Sequence, residues 1–133
     1  MQALQKFDPE RAEVVFGSAL IEASGRSKPG QLSRRMQELL VTAVDAVIRW
    51  PAPLIDHHTH EALNCGSNAQ EIVEVVLVCA EAVQGASDAN VAGRRTESGT
   101  SIIHHGLVAL DRVIGERNAA GKATPLDYPA VAR

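Results

Sequence analysis

Apolar residues recur every three or four positions along most of the chain, which is the spacing of α-helices. The pattern predicts a first helix from Asp8 to about Ser24 and a second from about Ser33 to Arg49. It predicts three more, from Leu54 to Asn64, from about Asn68 to Val83, and from about Thr100 to Asn118. The second of these is apolar on nearly all sides from Ile72 to Val83. The predicted fold class is therefore all-α, a compact bundle of about five to six helices.

Turn-forming and capping residues mark the boundaries between these helices. Two prolines in Pro51–Pro53 break the chain after the second helix, because proline lacks an amide donor and restricts its predecessor. Gly66 suits the left-handed position that ends a helix. Asn68, followed three residues later by Glu71, has the pattern of a capping box and begins the next helix.

The predicted second helix is amphipathic. Its apolar face holds Met36, Leu39, Leu40, Ala43, Val44 and Val47, and its opposite face holds Arg34, Glu38, Asp45 and Arg49. We expect the apolar face to meet the core and the charged face to be solvated. Glu38 and Glu81 are the carboxylates closest to the interior, although Glu38 shares its face with other charged residues.

Composition narrows the class of protein. A chain of 133 residues suits one domain spanning 1–133, with 121–133 as a loose tail. Thirteen basic residues against 16 acidic ones, net charge −3, disfavour nucleic-acid binding. The chain lacks the roughly 20-residue apolar stretch that crosses a bilayer.

Two cysteines cannot form enough disulfides to stabilise a fold of this size, and their use favours the cytoplasm. The aromatic content of 3% favours close helix packing. Segment 84–99 is the hardest to assign, with a short turn predicted near 89–92.

Histidines are the leading candidates for chemistry. His58 lies on the apolar stripe of the third helix with Leu54, Ile55, Ala62 and Cys65, so its imidazole is expected to point inward. An imidazole so placed is a candidate acid or base near neutral pH. The alternative is a buried histidine that hydrogen-bonds a backbone carbonyl.

A second face of the third helix carries His57, His60 and Glu61, and Asp56 can reach His60 one turn later. These three residues are candidate ligands for a transition metal, although their spacing does not match H-E-x-x-H. The alternative is a solvated histidine-rich face. The prediction is no metal and no cofactor.

Further candidates lie elsewhere in the chain. His104 and His105 flank the apolar stripe of the last helix, so one of them could look into a cleft. Cys65 lies seven residues after His58, which makes a thiol–imidazole couple conceivable. Neither Cys65 nor Cys79 has a partner at C-x-x-C spacing for dithiol exchange.

Two stretches resemble the carboxymuconolactone decarboxylase family, part of the alkyl hydroperoxidase D-like superfamily. Residues 58–74, HTHEALNCGSNAQEIVE, are similar to its signature: a histidine, Ala-Leu four residues later, a glycine and a capped helix with Glu-Ile and a further Glu. Residues 32–40, LSRRMQELL, are similar to its basic lead-in. The resemblance is strongest over 30–85.

The resemblance implies a helical subunit like alkyl hydroperoxidase D that assembles with copies of itself into trimers, hexamers or related rings. It implies a pocket near His58, where an imidazole assists loss of CO2 from a carboxylated lactone and returns a proton. The redox branch has C-x-x-C ahead of this histidine, and counting back places those cysteines at Pro51 and Leu54. Peroxidase or antioxidant chemistry is therefore disfavoured.

The chain departs from the family pattern in two places. Glu38 is one residue further from His58 than the family spacing, so either His57 is the matching histidine or the Pro51–Pro53 turn carries an insertion. Val83–Ser87 keeps only the glycine of the family's Tyr-x-Gly-x-Pro. If 84–95 is an insertion, His104 or His105 approaches the pocket, and Arg94 or Arg95 can bind an anionic substrate there.

We therefore predict a cofactor-free enzyme of lyase or isomerase type acting on a small carboxylated or carbonyl compound. The predicted catalytic residues are His58, His104, His105 and Glu38, and the predicted substrate-binding residues are Arg94, Arg95 and Cys65. The predicted partners are copies of the chain and a small-molecule substrate, with no nucleic acid and no membrane. The alternatives are a non-catalytic oligomeric binding or scaffold protein, and a metal-dependent enzyme.

Overall fold

The structure is a computed structural model that describes residues 6–7, 9–10, 32–88, 98–122 and 124. Contacts divide the chain into two units, Met1–Arg34 and Arg35–Arg133. In the first unit the described residues at 6–7 and 9–10 are helical, and the rest of the predicted first helix lies outside the described residues. The predicted turn at 89–92 and most of the predicted tail also lie outside them.

Four helices account for most of the described part of the second unit. They are α1 (Arg34–Val47), α2 (Ala52–Asn64), α3 (Ala69–Asp88) and α4 (Gly99–Ala119). The described residues form helices and turns and include no strand, so the all-α prediction is confirmed for them. None of the described helices combines the length and apolar character that crossing a bilayer requires.

The predicted boundaries of α2 and α3 depend on local chemistry. Pro51 precedes α2, and Gly66 has the left-handed φ of +103° that a side chain rarely adopts. The backbone N–H of Glu71 donates to Asn68 Oδ1 at 2.8 Å, and that of Asn68 donates to Glu71 Oε2 at 3.1 Å. These reciprocal hydrogen bonds are the predicted capping box.

Helix α3 continues to Asp88, so the predicted end at Val83 is wrong. The backbone N–H of Gly99, at the start of α4, donates to the Gln84 side chain at 2.9 Å. This hydrogen bond joins α3 to the start of α4. Gly85 lies within the last turns of α3 without ending the helix.

Two groups of buried apolar residues join the four helices. One contains Leu39, Ala62, Leu63, Ala69, Ile72, Leu110 and Val113; the other contains Ala46, Ile55, Val76, Ala80, Ile102 and Ala109. Gly106 lies beside the second group, where an added Cβ would be 2.8 Å from Val76 Cγ1 and 3.2 Å from Ala46 Cβ. Glycine therefore allows α1, α3 and α4 to approach closely.

Helix α1 is oriented differently from the prediction. Glu38 and Asp45, predicted on a solvated face, are buried, and Thr42 between them is also buried. Met36, Leu40 and Val44 of the predicted inner face are 37%, 46% and 52% exposed. The buried arc is thus turned about a third of a circle from the apolar arc. Periodicity groups residues on one face of a helix but does not show which neighbour that face contacts.

Candidate functional site

The most buried ionisable pair that the described hydrogen bonds show joins α1 to α2. Asp45 Oδ2 lies 2.5 Å from His58 Nδ1, and the two side chains are 5% and 15% exposed. Asp45 lies on the inner arc of α1. His58 lies at the border of the α2 face that carries the buried residues Ile55 and Ala62.

The second ring nitrogen of His58 is the atom available for chemistry. Within the residues that the structure describes, the hydrogen bond of His58 goes through Nδ1 to Asp45. Its ring also lies beside that of His57, with centroids 5.4 Å apart and planes tilted by 57°. A half-buried imidazole held by a carboxylate and retaining Nε2 can accept or donate a proton at a bound molecule.

The opposite side of α2 carries a row of pairs with α4, which we name the α2–α4 ladder. Arg112 donates to both carboxylate oxygens of Asp56, at 2.9 and 3.1 Å. His60 Nε2 lies 2.8 Å from Glu116 Oε2. Arg117 donates to the Asn64 side chain at 2.8 Å. The predicted Asp56–His60 contact is therefore wrong, because both residues turn toward α4.

Arg112, in the pair with Asp56, keeps its positive charge. The hydrogen bond that Arg112 donates to Asp56, together with the negative charge of Asp56 and Glu116, raises the pKa of Arg112 despite the opposing effect of burial. The guanidinium is consequently a cation at every pH at which the protein would be studied.

The structure does not bring the candidate metal ligands together. His57 is exposed, and His60 is engaged with Glu116. Within the described ranges, no group of three or more histidine, cysteine, aspartate or glutamate side chains is arranged to hold a metal ion. His57, His60 and Glu61 thus lie on one helix without converging on a point.

The two histidines of α4 differ in their surroundings. His104 is exposed. His105 Nε2 lies 2.9 Å from the backbone oxygen of Trp50, so the ring N–H donates to the turn between α1 and α2. His105 is therefore fixed near the start of α2, and its hydrogen bond is to this turn rather than to His58.

The remaining predicted site residues are spread over the fold. Glu38 is fully buried on the inner arc of α1, two turns before Asp45, and Thr42 donates to its backbone oxygen at 2.8 Å. Cys65 is half-buried at the C-terminal cap of α2. Arg94 and Arg95 lie outside the described residues. The functional roles of these residues stay predictions.

Two cavities in the second unit are lined by described residues. A groove of about 340 Å³ lies between α1 and α3, and a cavity of about 640 Å³ lies between α3 and the start of α4. Neither is lined by a histidine. Cys79 lines the groove, and burial raises the pKa of its thiol.

Asp45 is the site residue that the sequence analysis missed. Its spacing within α1 placed it with Arg34 and Arg49 on a solvated face, and it lies 13 residues before its partner. A contact between side chains of two different helices leaves no signal in the periodicity of either helix. The helical pattern alone therefore could not have revealed it.

Comparison with protein families supports the resemblance on which His58 was singled out. The model of the carboxymuconolactone decarboxylase family matches residues 16–93, more than half of the chain. The chain belongs to this family. The matched range includes all of α1, α2 and α3, and thus both Asp45 and His58. No curated protein and no solved structure matches the chain.

In this family member, the positions of the redox pair lie at the start of α2. Pro51 is the cap of that helix and Leu54 lies in its first turn. The two thiols of the chain, Cys65 and Cys79, are both free and lie on different helices or their caps. Pro51 and Leu54, where the resemblance places the redox cysteines, are therefore not thiols.

Proposed function

We propose that this member of the carboxymuconolactone decarboxylase family is an enzyme of lyase or isomerase type that acts on a small carboxylated or carbonyl compound. His58 is the proposed acid and base, and this proton transfer requires no cofactor. The observation that carries the proposal is the half-buried His58 ring, held at Nδ1 by Asp45 at 2.5 Å. Such a ring keeps one nitrogen for a substrate and is sheltered from bulk water.

The reaction we propose is decarboxylation of a carboxylated lactone. The bond between the ring carbon and the carboxylate breaks, CO2 leaves, and the electron pair passes into the conjugated lactone carbonyl as an enolate. Protonated His58 then gives its proton to carbon and recovers one from water. The proposed group that holds the substrate carboxylate is Arg94 or Arg95, because a guanidinium binds a carboxylate through two hydrogen bonds.

Four other residues have proposed supporting roles. His104 or His105 assists proton transfer, Glu38 supplies a buried carboxylate on the same helix as Asp45, and Cys65 lines the substrate site. Two observations support these roles: Glu38 is buried, and His105 of α4 contacts the turn that precedes α2.

The test is release of CO2 from 4-carboxymuconolactone by the full chain and by His58→Gln. Glutamine keeps an N–H donor for Asp45 but has no titratable proton, so kcat should fall by about 10² to 10⁴. His60→Gln is the matched control on the other side of α2 and should keep the parent rate. A parental rate in His58→Gln, with unchanged helix content by circular dichroism, refutes the role of His58. No CO2 release by the parent refutes the decarboxylase assignment.

We also propose that the protein assembles with copies of itself through α1 and α3. Met36, Leu40 and Val78 line the same groove between these helices and are 37%, 46% and 65% exposed. Contiguous apolar surface of this kind is typical of contacts between proteins. Charges of both signs, Arg35 on α1 and Glu74 on α3, line the same groove and suit a self-complementary contact.

Analytical ultracentrifugation of Leu40→Asp tests this assembly. The parent chain should sediment as an oligomer and the variant as a monomer with the same helix content, because a buried unpaired charge opposes association. Val108→Asp is the matched control, since Val108 is an exposed apolar residue of α4 that is 38% exposed. A monomeric parent, or an oligomeric Leu40→Asp, contradicts the proposal.

A non-catalytic binding protein is the second candidate function. The favouring observation is that neither of the two cavities described above is lined by a histidine. Calorimetry with 4-carboxymuconolactone separates the two candidates: binding without turnover supports this one, and turnover lost in His58→Gln supports the first.

The free thiols support a reducing compartment, for which we propose the cytoplasm. They also disfavour a peroxidase, since Cys65 and Cys79 are not paired and Pro51 and Leu54 take the places of the redox cysteines.

A further inference from the structure

The fold buries the carboxylate of Asp45, although this burial opposes stability. It is 5% exposed, while apolar residues of the same helix, Leu40 and Val44, are 46% and 52% exposed. Burying a carboxylate and exposing apolar surface both oppose folding. Arrangements that oppose stability in this way concentrate at functional sites.

The hydrogen bond of Asp45 determines the chemistry of its partner. An ionised carboxylate only accepts hydrogen bonds, so the ring nitrogen 2.5 Å away must carry the proton. When His58 is neutral, its lone pair is then on Nε2. The partner of one ring nitrogen therefore selects which nitrogen is free to react.

The other histidines provide a comparison within the same molecule. His60 and His105 use Nε2 for their hydrogen bonds, to Glu116 and to the Trp50 carbonyl. His58 uses Nδ1. Among the hydrogen-bonded histidines of the described residues, His58 thus leaves Nε2, the nitrogen farther from its backbone, for another molecule.

We propose that Asp45 is a positioning residue: it fixes His58 as the Nδ1–H tautomer and presents Nε2 as the nitrogen that exchanges a proton with the substrate. The proposal rests on the proposed acid–base function of His58 and adds the second residue and the reacting atom. Asp45 also stabilises the imidazolium that forms when Nε2 takes a proton.

The direct test is the tautomer of His58 in the full 15N-labelled chain, from long-range 1H–15N correlations at alkaline pH, where imidazoles are neutral. The signals are assigned by their loss in His58→Gln. We expect Nδ1 to be protonated and Nε2 to be unprotonated in the parent. An Nε2–H tautomer in the parent overturns the proposal, and this measurement requires no variant of Asp45 to fold.

Variants of Asp45 test the same point. Asp45→Leu keeps the shape of the side chain but removes the acceptor, so His58 should become a mixture of tautomers or Nε2–H. Asp45→Glu should restore part of the Nδ1–H population. Glu116→Leu removes the carboxylate from the other histidine pair of α2 and should leave His58 unchanged. An unchanged tautomer in folded Asp45→Leu overturns the proposal.

Activity separates this proposal from the one it rests on. With 4-carboxymuconolactone, Asp45→Leu should lower kcat by between about 10 and 10⁴, as loss of the orienting carboxylate does in hydrolytic triads, and should leave KM within a few-fold. If His58→Gln is inactive while Asp45→Leu keeps the parent rate, His58 retains its function and the positioning role is wrong. If the parent releases no CO2, the proposed function fails, and the tautomer alone decides the role of Asp45.

Discussion

Helix α2 carries a histidine–carboxylate pair on each of two sides. Toward α1, His58 and Asp45 are 15% and 5% exposed and lie 2.5 Å apart. Toward α4, His60 and Glu116 are 28% and 58% exposed and lie 2.8 Å apart. The residue types are nearly the same, and the two histidines are only two positions apart in the chain.

Burial makes the two pairs different. Water and salt screen an exposed pair, which contributes about 0–1 kcal/mol to stability and leaves both side chains mobile. A buried pair is screened far less, so its geometry is fixed and loss of one partner is costly. The ladder toward α4 is therefore suited to holding helices together, and the Asp45–His58 pair is suited to controlling a proton.

The largest expected difference between the two pairs is in stability. His58→Leu leaves the Asp45 carboxylate buried without its imidazole and should lower the free energy of unfolding by about 3 kcal/mol. His60→Leu leaves an exposed Glu116 and should cost about 1 kcal/mol or less. Urea unfolding followed by circular dichroism measures both. Equal losses would show that burial does not distinguish the pairs.

Salt should reveal that the ladder is more exposed than the Asp45–His58 pair, since the side chains of Arg112 and Asp56 are 38% and 16% exposed. Arg112→Gln removes the charge that binds Asp56 and should lower the free energy of unfolding by about 1 kcal/mol or less at low salt. That loss should shrink at about 1 M NaCl, where the Debye length is about 3 Å. The loss in His58→Leu should change little with salt. Urea titrations at the two salt concentrations measure both losses. A larger change with salt in His58→Leu than in Arg112→Gln contradicts the comparison.

The smallest expected effect concerns a thiol outside α2. Burial raises the pKa of Cys79, so the folded chain should contain less thiolate at neutral pH than the unfolded chain. In Cys65→Ser, where Cys79 is the remaining thiol, iodoacetamide should react more slowly with folded protein, and the midpoint of the rate against pH should be higher than in urea. Coincident midpoints would show that burial does not act on this group. Cys79→Ser, which retains Cys65, controls for the assay.

Local features of the fold were predictable because they depend on neighbouring residues. Asn68 and Glu71 form the predicted capping box, and Gly66 has the predicted left-handed conformation. Each requires only a few consecutive residues, whose preferences are intrinsic. The end of α3 was mispredicted because Gly85 and Ser87, residues typical of turns, lie within the helix instead of ending it.

The candidate site was predictable only in part. The pattern of α2 singled out His58, and the structure places this ring half-buried against α1. Its partner Asp45 was assigned to solvent, and Asp56 and His60 were paired with each other rather than with Arg112 and Glu116. Contacts between helices depend on how each helix is rotated, which one helix's own periodicity does not determine.

The sequence by itself determined the all-helical class, most helix boundaries, the family and the imidazole of interest, because these follow from short-range preferences and from a contiguous signature. Only the tertiary structure decided that α1 turns Asp45 inward and Leu40 outward. A periodic pattern defines the faces of a helix, but the packing of its neighbours selects which face is buried. That selection gives His58 its carboxylate.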